Sequence, residues 1–306
     1  MKKVMGISLG SSKRDHAVTV SLLGQECRVE RVGMDGDMER MIETIKALDG
    51  KVDAFGLGGI SVNLYSIDRR YQLRDARRIM EAARLTPIVD GGGIKKTLER
   101  RVINYLARET GLLAGGKRAL MVCAMDRLSM AQALEEAGCR LTYGDFPFVL
   151  GLPIPLYSLK TIAFLARLLL PLICRLPFSM LYPAGDSQEI NKPRFSRFFR
   201  DADIIAGDFH LIYKYMPHDL SGKTIITNTI TEENIRLLKE RNLHKLVCTT
   251  PDMEGRSFGT NVIEALLVCL SGKKQELTEA EYNALLDQLN FPIRIVDLEA
   301  VTASTA

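Results

Sequence analysis

The chain has 306 residues, of which 46% are hydrophobic and 25% charged, so it can bury a sizeable core. Its net charge of +4 is too small to indicate a nucleic-acid-binding protein by itself. The six cysteines form no C-x-x-C pair and do not cluster with the four histidines, so no metal site is predicted.

The first half, residues 1–115, alternates strand-like and helical segments. Strands are predicted at residues 4–9, 17–22, 27–32, 52–57 and 87–89, and helices at 38–48, 75–83 and 98–106. Apolar residues at helical spacing, such as Met38, Met41, Ile42 and Ile45, carry the clearest helix prediction. The chain enters its first strand without a signal-peptide-like apolar segment, so we expect a cytoplasmic protein.

The second half, residues 116–306, repeats this alternation more regularly. Strands are predicted at residues 119–123, 140–143, 204–206, 224–227 and 246–248, and helices at 129–137, 232–241 and 260–270. Strands that alternate with helices form parallel sheets. We therefore predict an α/β protein with two Rossmann-like parallel-sheet halves and a helical, apolar insertion at residues 146–200 in the second.

The insertion is open to more than one interpretation. Residues 151–183 contain no acidic side chain and only three cations, Lys160, Arg167 and Arg175. The favoured interpretation is a helical subdomain that packs over the sheet or forms a homo-oligomer interface. The alternative is contact with a membrane surface or with a lipid-like substrate. The basic, phenylalanine-containing stretch at 192–200 is typical of a solvated basic face, and no nucleic-acid partner is expected.

Ligands of open parallel sheets bind beyond the carboxyl ends of the strands, so the residues after each strand are candidates. Asp208 and His210 follow one strand and suit acid–base chemistry, because histidine titrates near neutral pH. Lys13, in a polar loop after the first strand, is the third candidate catalytic residue. The candidate cofactor-binding residues are Asp126, Asp145, Asn228 and Thr250.

Asp145 lies about 20 residues after the first strand of the second half, where dinucleotide folds place the acid that binds the ribose. This position favours NAD over NADP. The turn that should bind the pyrophosphate, AMDRLS at residues 124–129, contains no glycine. A Rossmann-like fold without a dinucleotide therefore remains open.

Two glycine-containing loops that lead into helices suit an anion. DGGGIKK at residues 90–96 and EGRSFGTN at 254–261 combine free backbone amides, a helix start and cations. The candidate substrate- or anion-binding residues are Ser11, Ser12, Gly92, Gly93, Lys95, Arg256, Ser257 and Thr260.

Four segments, SLGSSKRDH (8–16), DAFGLGGI (53–60), AGDFH (206–210) and GRSFGTN (255–261), resemble a bacterial family labelled predicted quinate 5-dehydrogenase. The resemblance covers nearly the whole chain and implies an oxidoreductase that uses NAD or NADP to oxidise a polyhydroxy cyclic acid such as quinate or shikimate. The chain lacks the N-V-T-x-P-x-K motif of characterised quinate and shikimate dehydrogenases, so their catalytic residues are not carried over. The alternative is a Rossmann-like protein that binds an anionic metabolite without dehydrogenase activity.

Overall fold

The structure is a computed structural model that describes residues 1–65, 69–176, 190–253 and 256–298. Within these residues the chain forms two main sheets of mostly parallel strands with helices packed on them, which confirms the predicted α/β class. The strands are β1 (Lys2–Ser8), β2 (His16–Leu22), β3 (Gln25–Gly33), β4 (Ala54–Gly58), β5 (Asn63–Tyr65), β6 (Arg70–Gln72), β7 (Ile88–Val89), β8 (Arg118–Met121), β9 (Arg140–Tyr143), β10 (Ile204–Ala206), β11 (Thr224–Thr227), β12 (Lys245–Cys248), β13 (Asp252–Met253), β14 (Arg256–Ser257) and β15 (Arg294–Asp297). The helices are α1 (Met38–Leu48), α2 (Ala76–Met80), α3 (Gly92–Tyr105), α4 (Leu128–Glu136), α5 (Leu159–Ile173), α6 (Ser196–Asp201), α7 (Phe209–Tyr215), α8 (Glu232–Glu240), α9 (Thr260–Ser271) and α10 (Glu279–Leu289).

The first sheet has the strand order β2-β3-β1-β4-β7. Strand β1 lies in its middle, parallel to β3 and β4, and only β2 runs antiparallel to its neighbour. All five residues of β4 are buried, as expected for a central strand covered on both faces. The β2–β3 hairpin turns at Leu23 and Gly24, which both have positive φ, the backbone conformation that short hairpins favour.

The second sheet has the strand order β15-β12-β11-β10-β8-β9. Strands β9, β8, β10, β11 and β12 are parallel, and β15 adds an antiparallel edge. The carboxyl ends of the five parallel strands therefore lie along one edge of the sheet. Mixed sheets of this kind are common among α/β proteins.

Helix α9 lies in sequence between strands β12 and β15 of the second sheet, but it packs against strands β1 and β4 of the first sheet. The approach is close because both strands carry a glycine there. A Cβ atom at Gly6 would lie 2.6 Å from Val262 Cγ2, and one at Gly56 would lie 2.5 Å from the Asn261 carbonyl oxygen. The division of the chain into two domains at residue 115 stays a prediction. Helix α9, which lies after residue 115, covers strands of the first sheet.

The insertion contains α5 and α6. Ile162 of α5 packs in a core cluster of the second sheet, whereas Cys174, directly after α5, packs in a core cluster of the first sheet. The Arg74 amide also donates to the Cys174 carbonyl oxygen at 3.1 Å. Helix α5 thus reaches from one half to the other, and it continues past Pro171. Of the helices described, none combines the length and the hydropathy that crossing a bilayer requires.

Candidate functional site

Polar side chains from both halves meet where the strands of the second sheet end. The carboxyl ends of β8, β10 and β11 lie side by side, at the edge where ligands bind in open α/β sheets. Helix α3 of the first half reaches the same place, because Lys95 Nζ lies 2.8 Å from Asp126 Oδ1, shortly after β8. This edge is the candidate functional site.

Arg127 occupies the centre of the edge, with a side chain only 4% exposed. Its guanidinium contacts the Glu99 carboxylate of α3, and it lies 3.2 Å from Asp208 Oδ2 and 3.5 Å from Asp126 Oδ2. Burial lowers the pKa of Arg127, but the three carboxylates outweigh that effect and raise it overall. The pKa of Glu99 is raised by burial, against the attraction of Arg127 and Lys95. Arg127 therefore stays charged and holds groups from both halves together.

Asp208 follows β10 and caps the N-terminus of helix α7. Its Oδ1 accepts the His210 amide at 3.0 Å, and its Oδ2 accepts Nδ2 of Asn228 at 3.2 Å. Burial raises the pKa of Asp208, but His210, Arg127 and Lys95 bring it down to about 2. The side chain remains 32% exposed, so this ionised carboxylate can also accept hydrogen bonds from outside the protein.

His210 contacts the first half of the chain. Its Nε2 lies 3.1 Å from Nη1 of Arg14. Because a guanidinium only donates, Nε2 accepts and the neutral ring carries its proton on Nδ1. Desolvation by the surrounding protein lowers the pKa of His210, Asp208 opposes this, and Arg14 adds to it. The ring is therefore neutral at pH 7.

In the candidate anion-binding loop at residues 90–96, three backbone amides donate hydrogen bonds to carboxylates of the protein itself. The Gly91 amide donates to Glu264 Oε2 at 2.6 Å, and the Ile94 amide donates to Glu264 Oε1 at 3.3 Å. The Gly92 amide donates to Asp90 Oδ1 at 2.9 Å. A Cβ atom at Gly93 would lie within 2.4 Å of Glu264 Oε1. Carboxylates of the protein itself thus occupy the place expected for a bound anion.

In the described part of the chain, Ser11 and Ser12 form hydrogen bonds with partners other than Asp208. Ser11 Oγ accepts the Lys13 amide at 3.2 Å, and the Ser12 amide donates to Asp35 at 2.7 Å. The Lys13 side chain is exposed, and Arg14 rather than Lys13 contacts His210. Thr260 is the first residue of α9 and lies against Gly91. Arg256 and Ser257 form strand β14, and their side chains lie outside the described part of the chain.

The cofactor-binding residues expected from the sequence do not form a dinucleotide site. The buried Asp145 carboxylate accepts the Ala124 amide at 3.1 Å and the Met125 amide at 2.9 Å. It closes the turn over which a pyrophosphate would lie, so it does not face a ribose. Thr250 is buried, with its hydroxyl 3.5 Å from the Cys248 thiol. Only Asp126 and Asn228 of this set lie at the candidate site.

Sequence reasoning missed Arg14, Glu99 and Arg127 as residues of the candidate site, and Glu264 as the partner of the loop at residues 90–96. Arg127 follows a strand and carried a local signal, whereas Glu99 and Glu264 lie within helices and acquire their roles through partners in distant segments.

A separate open cleft of about 360 Å³, lined by Asn63, Arg70, Asp90, Glu264 and Glu276 among others, does not include Asp208. In the described ranges, His, Cys, Asp and Glu side chains form no group of three that could hold a metal ion.

Comparison with known proteins gives two family matches. The model "Domain of unknown function (DUF8754)" matches residues 93–298, and "Domain of unknown function (DUF8753)" matches residues 3–90. No curated protein sequence matches the chain. Similar solved structures include a galactofuranose binding protein (11% identity, 95% of this chain and 99% of that chain covered, TM-score 0.37). They also include GanP, a glucose-galactose binding protein from Geobacillus stearothermophilus (11% identity, 98% and 99% covered, TM-score 0.39).

The resemblance to the predicted quinate 5-dehydrogenase family is wrong, because the two family models that match carry no such description. The NAD(P)-dependent oxidoreductase of quinate or shikimate is wrong as well. The Asp145 carboxylate fills the turn that a dinucleotide needs. The expectation of NAD or NADP as a cofactor, and of a dehydrogenase, is therefore wrong.

Proposed function

The chain belongs to the family of "Domain of unknown function (DUF8754)", and from its site we propose that it binds a small, uncharged, polyhydroxylated molecule where its two halves meet. The observation that carries this proposal is the Asp208 carboxylate. It is ionised and 32% exposed, and it is held by Arg127, Asn228 and the His210 amide. An oriented carboxylate surrounded by donors suits the hydroxyl groups of a sugar, each of which both donates and accepts.

The edge offers donors and acceptors in nearly equal number. Asp208 and Asp126 accept hydrogen bonds, whereas Arg14 and Lys95 donate them. Asn228 provides an amide, which does both. A site built to bond hydroxyl groups discriminates strongly against analogues that lack them, because its own polar groups are then left unpaired.

The charges at the edge favour an uncharged ligand over an anionic one. Lys95 is paired with Asp126, and Arg127 is shared among Glu99, Asp126 and Asp208. An anion would compete with these carboxylates for Lys95 and Arg127, and Asp208 would repel it. The anionic metabolite expected from the sequence is therefore the second candidate, and small-molecule binding is common to both.

Contacts between the halves close the edge in the structure described. The Lys95–Asp126 ion pair and the Arg14–His210 hydrogen bond each join the first half to the second. A ligand that enters between the halves separates these pairs and replaces them with its own hydroxyl groups. Closure around a ligand by hinge motion is common among two-domain α/β binding proteins.

Thermal-shift and calorimetric measurements with neutral pentoses, hexoses and polyols, and separately with phosphorylated and carboxylated analogues, test the proposal. A ligand at 100 times its Kd stabilises the fold by about 2.7 kcal/mol, which such measurements detect. Asp208→Asn keeps the helix cap but loses the charge, and should weaken binding of a neutral sugar about tenfold to a hundredfold. Asp219→Asn, at an exposed carboxylate outside the edge, is the control. Binding of anions alone, unaffected by Asp208→Asn, would overturn the proposal.

The cytoplasmic location expected from the sequence stays a proposal beside this function. All six cysteines are free thiols, and all but Cys123 are buried. Unpaired thiols are typical of reducing compartments. Fractionation of the cells that express the natural protein tests this directly.

A further inference from the structure

The insertion carries a large exposed apolar surface. Most of the exposed large hydrophobic side chains of the described residues lie between positions 149 and 190. We define the apolar face by six of them: Leu150, Ile154, Tyr157, Phe164, Leu168 and Leu172. Single exposed apolar residues are ordinary, but a group of them on one helix and the loop directly before it is a candidate interaction surface.

The outer side of helix α5 forms the core of the apolar face. Ile162, Ala166 and Leu170 are buried and follow each other at intervals of four residues, so they form the side of α5 that packs against the protein. Phe164, Leu168 and Leu172, also four apart, are 64–65% exposed on another line. A surface helix of a globular protein normally directs polar residues outward. Helix α5 instead is apolar on both sides.

In the described part of the insertion, the charged side chains have one sign. Residues 146–176 and 190–200 contain no aspartate or glutamate. Lys160 and Arg175, both exposed, lie at the two ends of the Phe164–Leu172 line. Arg194 and Arg197 lie beside the loop before α5, where they donate to the carbonyl oxygens of Gly151 and Pro153. The face is therefore apolar in its centre and cationic at its rim.

A second copy of the chain fits this charge pattern poorly. A two-fold symmetric contact through the apolar face would place the same cations of both copies close together. The described part of the insertion offers no carboxylate to pair with them. A surface of anionic lipid headgroups, by contrast, complements an apolar centre with a basic rim.

We propose that the apolar face binds the surface of anionic membranes, with α5 lying parallel to the bilayer plane. Phe164, Leu168 and Leu172 enter the boundary between headgroups and acyl chains, while Lys160 and Arg175 extend to the lipid phosphates. The 15 residues of α5 are too few to cross the hydrocarbon core. The helix is held by the cores of both halves at Ile162 and Cys174, so the face is already formed before it meets the lipid.

Vesicle flotation with the full chain tests this proposal. Vesicles of phosphatidylcholine alone are compared with vesicles that contain about one-third phosphatidylserine, at low and high salt. The wild-type protein should float with the anionic vesicles at least tenfold better, and high salt should reduce this binding. Recovery in the unbound fraction with both kinds of vesicle would overturn the proposal.

Two variants locate the contact. Phe164→Gln/Leu168→Gln/Leu172→Gln should reduce flotation at least tenfold, whereas Leu85→Gln, at an equally exposed apolar position of the first half, should not. Lys160→Glu/Arg175→Glu should also abolish the preference for anionic vesicles, and Lys51→Glu/Arg108→Glu is its charge-matched control. Circular dichroism verifies that each variant is folded. Unchanged flotation of both insertion variants, or a dimer that the triple variant dissociates, would overturn the assignment.

Discussion

Arg127 of the second half lies against Glu99 of helix α3 in the first half, and these side chains are 4% and 1% exposed. When one partner of a buried ion pair is removed, the other is left as an uncompensated charge in the protein interior, which destabilises the fold. Here Asp208, which is partly exposed, shares the same guanidinium. Any change in the Arg127–Glu99 pair should therefore affect both the stability of the fold and the geometry of the site.

Arg127→Met leaves the buried Glu99 without its cation. Removal of one partner of a buried pair costs about 3–5 kcal/mol, so the free energy of unfolding in urea should fall by about 3 kcal/mol or more. Glu99→Leu/Arg127→Met should lose less than the two single replacements added together. Arg77→Met, which removes an exposed partner of Glu81, should change the free energy by about 1 kcal/mol at most. Strict additivity in the double-mutant cycle would contradict the pairing.

Glu264 predicts how stability depends on pH. Burial raises the pKa of its carboxyl to about 8, with Asp90 and Glu276 adding to the rise and bonds from Tyr282 and Gly91 opposing it. Because the ordinary value is 4.5, the folded state binds the extra proton between these two pH values. The contribution is complete below pH 4.5 and is lost as the pH rises through about 8.

Glu264→Gln should remove that part of the pH dependence, since the amide oxygen still accepts the Gly91 amide without titrating. The measurement is the free energy of unfolding in urea from about pH 4 to pH 9, compared between wild type and variant. The wild-type curve should decline more steeply toward alkaline pH, by an amount on the order of a few kcal/mol at most. Glu279→Gln, at an exposed position, is the control. Parallel curves would show that Glu264 titrates normally.

Asp145→Ala should destabilise the fold, because it leaves the amides of Ala124 and Met125 without an acceptor. An unsatisfied buried donor costs about 1–3 kcal/mol, and a fall of about 2 kcal/mol in the free energy of unfolding is expected. Asp145→Asn keeps one acceptor oxygen and should cost less. Neither NADH nor NADPH should shift the unfolding midpoint of the wild type. A shift by NADH that Asp145→Ala abolishes would contradict the capping role.

Local sequence patterns predict many elements but not the contacts between them. Met38–Leu48 is helical as its spacing predicts, and the predicted helix at 260–270 corresponds to Thr260–Ser271. The strand-end rule also places Asp208 and Asn228 at one edge, where they bond each other. The hydrogen bond from the Gly91 amide to Glu264, however, forms because α9 packs beside residues 90–96. No local sequence pattern predicts where α9 packs. Asp145 stands at the spacing of a ribose-binding acid, yet its carboxylate bonds the adjacent turn.

The packing of α9 on the first sheet is tested by its two glycine contacts. Gly6→Ala adds a Cβ atom 2.6 Å from Val262 Cγ2, and overpacking of this kind costs about 1–3 kcal/mol. Val262→Ala removes the opposing methyl group, so Gly6→Ala/Val262→Ala should recover part of that loss. Gly56→Ala instead meets the Asn261 carbonyl oxygen at 2.5 Å, which no side-chain replacement can remove. Urea unfolding should therefore show partial rescue at Gly6 and none when Val262→Ala is combined with Gly56→Ala. Equal behaviour at the two glycines would mean that α9 does not pack against β1 and β4 in this register.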